Sequence, residues 1–161
     1  MGFISSLFKC GGKSGKKLIE ASKSGGTKTV RILLAASADT NARDKHYWTA
    51  LMNASWHGHV GVTELLLNHG VEVNATDRDG WTALMRASWH GHTEVAELLL
   101  NHGAEVNVGE KHGWTALMRA SGHGRIGVAE LLLNKGAEVN ARDKHGWTAL
   151  MHASGEGRTG V

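Results

Sequence analysis

The chain has 161 residues, 41% of them hydrophobic and 20% charged, which is ordinary for a soluble protein of one domain. It contains no apolar run near the length of a membrane-spanning helix, and its first residues lack the basic lead of a secretory signal. The single cysteine, Cys10, excludes an internal disulfide framework and indicates a reducing compartment, so we expect a cytoplasmic protein.

The positive net charge is concentrated near the N-terminus. Residues 1–40 hold seven Lys and Arg against two Asp and Glu, whereas the remaining residues hold eleven against thirteen. A groove that bound nucleic acid along the rest of the chain would need the opposite distribution. We therefore expect no nucleic-acid partner.

Residues 1–13 are predicted to form a flexible basic tail. Met1 to Ser6 fit the pattern for N-myristoylation, and Cys10 with the nearby lysines would supply a second membrane signal. The alternative is a frayed tail whose apolar residues pack elsewhere on the protein. A membrane contact is expected only if this tail is lipidated.

Two short phrases recur along the chain with a period of 33 residues. The first phrase is Trp-Thr-Ala-Leu-Met, which begins at Trp48, Trp81, Trp114 and Trp147. The second is Glu-Leu-Leu-Leu-Asn, which begins at Glu64, Glu97 and Glu130. A fixed period of this length indicates stacked supersecondary units.

Each unit reads as two helices followed by an extended finger. Thr82 can cap a first helix with its hydroxyl, and Gly91 breaks that helix. Residues 95–101 form a second, more apolar helix, and Gly103 stands where a left-handed C-terminal cap favours glycine. The polar segment 104–113 is turn-like. A unit of this size is too small to bury its own leucines, so the units must stack.

On these residues the chain resembles the ankyrin-repeat family from about Ser14 onward. The resemblance implies an all-α solenoid of stacked helix-turn-helix units with β-turn fingers. Thr-Ala-Leu-Met stands where the family usually has Thr-Pro-Leu-His, so alanine replaces the helix-starting proline. Methionine replaces a histidine that usually ties neighbouring units together, and methionine packing is expected to offset that loss. These methionines are Met52, Met85, Met118 and Met151.

The period divides the chain after the tail into a domain of residues 14–161. We expect an N-terminal cap repeat at 14–46, full repeats at 47–79, 80–112 and 113–145, and an incomplete repeat at 146–161. The incomplete repeat contains the sequence of a first helix but not that of a second helix. We interpret it as a truncation or a fragment of a longer repeat protein rather than as an interface.

Three substitutions distinguish the copies. Ser37 replaces the capping glycine of the cap repeat, and a left-handed serine there costs about 1 kcal/mol. Gly61 and Gly127 take the place of Glu94 at the start of the second helix, so repeat 80–112 should be the stiffest. The residues Val-Gly-Glu at 108–110 predict a differently shaped finger.

The first group of candidate binding residues lies at the finger and at the finger-to-helix junction. The resemblance implies that both places face partners, which selects Lys45, His46, Trp48, Arg78, Asp79, Trp81, Lys111, His112 and Trp114. The alternative for the indoles is that they stack unit upon unit and stiffen the array.

A second group is restricted to fewer copies. Trp56 and Trp89 occur in two neighbouring units only, and the resemblance places them on the concave face at the end of the first helix. Two exposed indoles there would form a binding hot spot, and the alternative is packing on the rings of the junction tryptophans. His57, His90 and His123 complete the candidate set.

Metal binding and catalysis are not expected. Stacked helices lie about 8–10 Å apart, whereas a zinc site needs nitrogens at about 2.0–2.1 Å from one centre, so a ladder of equivalent histidines does not close such a site. The acids recur as surface residues rather than as an isolated pair, so we predict no catalytic residue and no cofactor.

The predicted function is therefore a non-catalytic module, expected to be a monomer, that binds another protein through its concave face and fingers. The alternatives are a membrane-tethered adaptor and a structural segment of a longer repeat protein.

Overall fold

A computed structural model of the protein describes residues 11–155 and residue 157. Within these residues nine helices follow one another, and the β structure is a single bridge between Gly109 and Thr115. The helices are α1 (Gly11–Lys23), α2 (Thr27–Ala35), α3 (Ala50–His57), α4 (Val60–Leu67), α5 (Ala83–His90), α6 (Thr93–Asn101), α7 (Ala116–Gly122), α8 (Ile126–Asn134) and α9 (Ala149–Gly155). The predicted all-α class is confirmed.

The helices form two layers. The inner layer runs α1, α3, α5, α7, α9, each packed on the next, and the outer layer runs α2, α4, α6, α8 in the same way. Helices α1, α3, α5 and α7 also pack on the outer helix that follows each of them in the chain. The long-range packing therefore repeats from one helix pair to the next, as expected of a linear stack.

Threonine caps the inner helices of the three full repeats, and glycine ends the first two of them. The hydroxyls of Thr49, Thr82 and Thr115 accept hydrogen bonds of 3.2–3.3 Å from the backbone N–H three residues later. Gly58 and Gly91 follow α3 and α5 in the left-handed region, at φ 72° and 82°. The predicted cap and break are confirmed.

Two residues other than glycine adopt positive φ in the described part of the chain. Ser37 has φ 54°, so it keeps the left-handed conformation of the glycine that it replaces. Tyr47 has φ 66° at the position where the later copies have Gly80, Gly113 and Gly146. Tyr47 carries a β-carbon where glycine would be favoured, so its backbone is strained, which the sequence pattern did not predict.

The core lies between the two layers and is continuous along the stack. Its largest fully buried side chains are a leucine or methionine of α1, α3, α5 and α7, a valine of each outer helix, and a leucine of α4, α6 and α8. Met52, Met85 and Met118 are each 1% exposed, whereas Met151 is 46% exposed. Methionine packing is thus found in the three full repeats and not in α9, since no further repeat covers Met151 in the described residues.

Polar side chains join neighbouring repeats at the ends of the inner helices. The His59 and His92 rings each lie 3.1 Å from a carbonyl oxygen of the preceding repeat, those of Lys23 and Trp56. Arg125 makes the equivalent bond, since its Nε donates to the Trp89 carbonyl at 3.1 Å. These bonds provide a polar tie between units at a place other than the methionines.

The N-terminal end differs in detail from the expectation. Helix α1 begins at Gly11, inside the segment 1–13 that the sequence predicts as a tail. The myristoylation pattern at Met1 to Ser6, and Cys10, lie outside the described residues. Among the helices that are described, none is both long enough and apolar enough to cross a bilayer.

Candidate binding surface

The junction tryptophans are interleaved with cations. The Arg86 guanidinium lies 3.4 Å from the Trp48 ring centroid and 5.5 Å from that of Trp81. The Arg119 guanidinium lies 4.1 Å from the Trp81 and Trp114 rings alike. We call the whole series the tryptophan–cation stack; its members are Trp48, Arg86, Trp81, Arg119, Trp114, His152 and Trp147.

The last step of this stack uses a histidine. The His152 ring centroid lies 3.9 Å from that of Trp114 and 5.3 Å from that of Trp147. Each cation is therefore supplied by one repeat and placed against the indole of the repeat before it. The junction indoles do not stack directly on one another, as one alternative had expected. Cation–π contacts of Arg86 and Arg119, and ring contacts of His152 at the last step, join the repeats instead.

Every cation of the stack also meets a carboxylate from the preceding finger, nine residues earlier in the chain. The pairs are Arg86 with Asp77, Arg119 with Glu110 at 3.5 Å, and His152 with Asp143 at 3.0 Å. All six side chains are at most 10% exposed. Because Arg86 and Arg119 are buried as ion pairs with Asp77 and Glu110, removal of one member of a pair leaves the other charge uncompensated.

The finger carboxylates also hold the turns. Asp77 accepts hydrogen bonds of 2.9 Å from the backbone N–H of Asp79 and of Trp81. The Glu110 carboxylate accepts a longer backbone bond, of 3.3 Å, from the N–H of Trp114, and its finger carries the one β-bridge in the described residues. The finger at 108–110 is thus bonded differently, in agreement with its prediction.

Burial lowers the pKa of the two stack arginines without removing their charge at neutral pH. It lowers the pKa of Arg86 to about 10 against the opposing effect of Asp77, and it lowers the pKa of Arg119 to about 10 against that of Glu110. Both guanidinium groups stay protonated at neutral pH. The Nε atom of each is buried with no hydrogen-bond partner in the described part of the chain, so ring faces and carboxylates provide the main compensation.

Trp56 and Trp89 lie at the ends of α3 and α5 and are half-buried. Each ring centroid is 5.4 Å from the junction indole of its own repeat. On the other side, Trp56 lies 4.1 Å from the His90 ring and Trp89 lies 3.9 Å from the His123 ring. The packing alternative is therefore realised, and both indoles nevertheless keep part of their surface exposed.

The histidines beside these indoles are paired within their repeats. The His57 and His59 rings lie 5.7 Å apart, as do those of His90 and His92. Burial lowers the pKa of His57 and of His90, and the neighbouring histidine lowers each further. The inner-helix ends therefore present neutral imidazoles beside tryptophan at neutral pH. We call Trp56, His57, Trp89, His90 and His123 the inner face.

The finger residues of the candidate set are exposed. They are Lys45, His46, Arg78, Asp79, Lys111 and His112. Neighbouring fingers touch, because the Lys111 N–H donates to the Asp79 carbonyl at 3.0 Å and the Lys144 N–H donates to that of His112 at 2.9 Å. The last three of the four fingers are thus joined through their backbones.

The family assignment follows from the sequence match and agrees with this architecture. The model of the family described as ankyrin repeats, in three copies, matches residues 18–110 and 107–161. The chain belongs to the ankyrin-repeat family. No curated protein matches the chain. Ankyrin repeats are generally protein–protein interaction modules and are typically non-catalytic.

No group of three or more His, Cys, Asp or Glu side chains that could hold a metal ion is found among the described residues of this ankyrin-repeat protein. The His57 and His59 rings, and those of His90 and His92, lie 5.7 Å apart as stacked ring pairs.

Sequence reasoning missed the cations of the stack in this ankyrin array. Arg86, Arg119 and His152 were not singled out, although each follows a finger acid by nine residues. The sequence contains a second signal: Arg86, Arg119 and His152 each follow a repeat that has tryptophan at the finger-to-helix junction. The first copy has Gly15 at the tryptophan position, and the next repeat accordingly has Asn53 at the cation position.

Proposed function

We propose that this ankyrin-repeat protein is a non-catalytic module that binds a partner protein through the inner face and the fingers. The observation that carries the proposal is the pair Trp56 and Trp89, which are half-buried in neighbouring repeats beside exposed fingers. Tryptophan is enriched among the few residues that dominate the free energy of protein association.

The packing around these indoles supports such a role. Trp56 and Trp89 are each held between a tryptophan of their own repeat and a histidine of the next. A ring that is already fixed loses little conformational entropy when a partner covers its remaining surface. Burial lowers the pKa of His57 and of His90, so covering these imidazoles has a smaller desolvation penalty than covering charged groups.

The proposed role is without catalysis, metal or cofactor. The buried finger acids are the groups best placed for acid–base chemistry, and each is already engaged by a cation and by backbone N–H groups. A carboxylate in such a structural pair is a poor proton acceptor for a substrate. We further propose a monomer in the cytoplasm; the single Cys10 supports a reducing compartment.

The proposal is tested by selecting peptides from a random display library against the folded chain. Recovered peptides are then titrated against the Trp56→Ala, Trp89→Ala double variant, with Lys28→Ala as a control because Lys28 is exposed on the outer layer. We expect the double variant to bind about ten-fold or more weakly and the control to bind unchanged. Full affinity in the double variant would remove the inner face from the proposal.

A further inference from the structure

An open groove lies between α1 and α2 at the first end of the helix stack. Its volume is about 690 Å³. The lining residues are Lys16, Lys17, Glu20, Ala21, Ser24, Thr29, Ile32 and Leu33. We call this surface the end groove. Because α1 and α2 are the first helices that the structure describes, no described repeat packs over it.

The α2 wall of the end groove is apolar and lacks the cover that later outer helices have. Leu33 is half-buried, whereas the equivalent leucine of each later repeat is fully buried. Ile32 is 68% exposed, whereas the equivalent leucines are partly buried against the core. These two sets of equivalents are Leu66, Leu99 and Leu132, and Leu65, Leu98 and Leu131. Each later outer helix packs on the one before it, so an apolar element over α2 would complete the pattern.

The α1 wall of the end groove is polar. Lys16, Lys17 and Glu20 are exposed, although the equivalent positions of the three full repeats are buried. A further repeat packed on this end would bury these charges without partners, which is unfavourable. A groove with one apolar and one polar wall instead fits a single amphipathic segment.

The ten residues that precede α1 have such a sequence. Their large apolar residues recur at the i, i+1, i+4, i+5 spacing of one helical face. These residues are Phe3, Ile4, Leu7 and Phe8. Serine occupies positions 5 and 6, and lysine occupies position 9. Residues 1–10 lie outside the described part of the structure.

This segment is long enough to reach the end groove. At the helical rise, Lys17 lies about 9 Å from Gly11 along the α1 axis, and ten residues of helix would span about 15 Å. A short turn joins α1 to α2, so the two helices run antiparallel and Leu33 lies nearly level with Lys17. A reversal of the chain before Gly11 therefore suffices to bring the segment over the α2 wall.

We propose that residues 1–10 fold back as a short amphipathic helix whose apolar face covers Ile32 and Leu33 in the end groove. The segment then shields the open end of the repeat array from water. While it is docked, the same apolar face is not available to a membrane. This inference goes beyond the proposed protein-binding function and does not depend on the inner face.

A photo-crosslinker tests where the segment lies. Phe3 or Phe8 is replaced by p-benzoylphenylalanine in the full chain, which is irradiated and digested with trypsin. We expect crosslinks within one chain to the tryptic peptide that begins at Ile32. Crosslinks that join two chains, or none to α1 and α2, would overturn the inference.

Two matched variants test whether the contact stabilises the fold. Ile32→Ser should lower the midpoint of thermal unfolding by about 4 °C or more, because a covered isoleucine is lost. Ile126→Ser is the control, since Ile126 is also on an outer helix and is 45% exposed. It should shift the midpoint by about 1 °C or less. Isoleucine and serine have similar helix propensities, so the difference reports the cover. Equal shifts would contradict the inference.

A double-mutant cycle tests which element covers Ile32. The tail variant Phe3→Ser, Phe8→Ser should also lower the midpoint. Adding Ile32→Ser to it should lower the midpoint little further, because both changes remove the same contact. Adding Ile126→Ser should give an additive shift. Additive shifts for Ile32→Ser and the tail variant would overturn the inference.

Sedimentation with vesicles of phosphatidylcholine and phosphatidylserine tests a membrane as the competing occupant. We expect the intact chain to stay in the supernatant. If it sediments and the tail variant does not, the apolar face binds lipid and the inference fails. The proposed function would still stand if display-selected peptides depend on Trp56 and Trp89.

Discussion

The middle and the last step of the tryptophan–cation stack perform the same task with different chemistry. Arg86 and Arg119 lie against the indoles of two repeats and stay charged at neutral pH, since the pKa of each is about 10. His152 occupies the equivalent place beside Trp114, but its imidazole is charged only when protonated. Each step of the stack is thus occupied by a flat side chain that reaches a finger carboxylate. The charge of that side chain is permanent for arginine and depends on protonation for histidine.

The largest effect should come from removing a middle cation. Arg86→Met leaves the Asp77 carboxylate buried without its partner and removes the contact with Trp48, so we expect about 3 kcal/mol less free energy of unfolding. Urea denaturation measures the change. Arg78→Met is the matched control, because Arg78 is exposed and should alter stability by about 0.5 kcal/mol or less.

The double variant Arg86→Met, Asp77→Asn separates the effect of the uncompensated charge on stability from the effect of the lost packing. It should recover part of the loss, because no uncompensated carboxylate remains. Similar stabilities for Arg86→Met and Arg78→Met would mean that the buried pair contributes little and that the middle of the stack is not a structural element.

A smaller effect is expected at the last step, and it depends on pH. Burial would raise the pKa of Asp143, but bonds from the backbone N–H of Trp147 and His145 and from His152 lower it below its ordinary value of 3.8. The folded state therefore holds the carboxylate more strongly than the unfolded state. This stability is fully present above pH 3.8 and is lost as pH falls through the lower folded pKa.

Asp143→Asn should remove that acid-dependent loss, which urea titrations between about pH 2 and pH 6 would detect as a flatter dependence of stability on pH. Asp39→Asn serves as the control, because Asp39 is exposed and lies far from Asp143 in the chain. An unchanged slope in Asp143→Asn would show that the last step contributes no more than an exposed carboxylate.

The smallest effect concerns the outer helices that flank the middle repeat, where Gly61 and Gly127 occupy equivalent positions. A β-carbon at Gly61 would meet the Thr27 side chain at 3.8 Å, an ordinary contact, whereas at Gly127 it would lie 3.1 Å from Thr93 Oγ1. We expect Gly61→Ala to raise stability by about 1 kcal/mol and Gly127→Ala by less. Thermal unfolding of the two variants measures the difference, and a greater gain at Gly127 would contradict it.

Much of the fold was predictable because it depends on local chemistry repeated at a fixed period. Thr82 as a cap, Gly91 as a break and Ser37 in the left-handed region all follow from rules about one turn of backbone. The two-layer packing follows from the apolar positions of one unit multiplied along the chain. The relative stiffness of repeat 80–112 stays a prediction.

The tryptophan–cation stack was not predictable in the same way, because the side chains that meet at each step come from three separate segments of the chain. Arg86 touches an indole of the preceding repeat and a carboxylate of the finger between them. The 33-residue period shows that such residues are equivalent in different repeats. It does not show that their side chains meet on the same side of the unit. The finger residues, in contrast, were identified by resemblance, and their exposure leaves their binding role as a proposal.

The register of the stack has a consequence for how an array of this kind can change length. Loss of residues 80–112 would bring Trp48 opposite Arg119 and Asp77 into the place of Glu110, so every pairing would be replaced by an equivalent one. Loss of residues 47–79 would instead bring Gly15 opposite Arg86, and the guanidinium would have no indole from the preceding unit. Internal duplication or deletion is thus nearly neutral in one place and damaging in another, although the units look interchangeable.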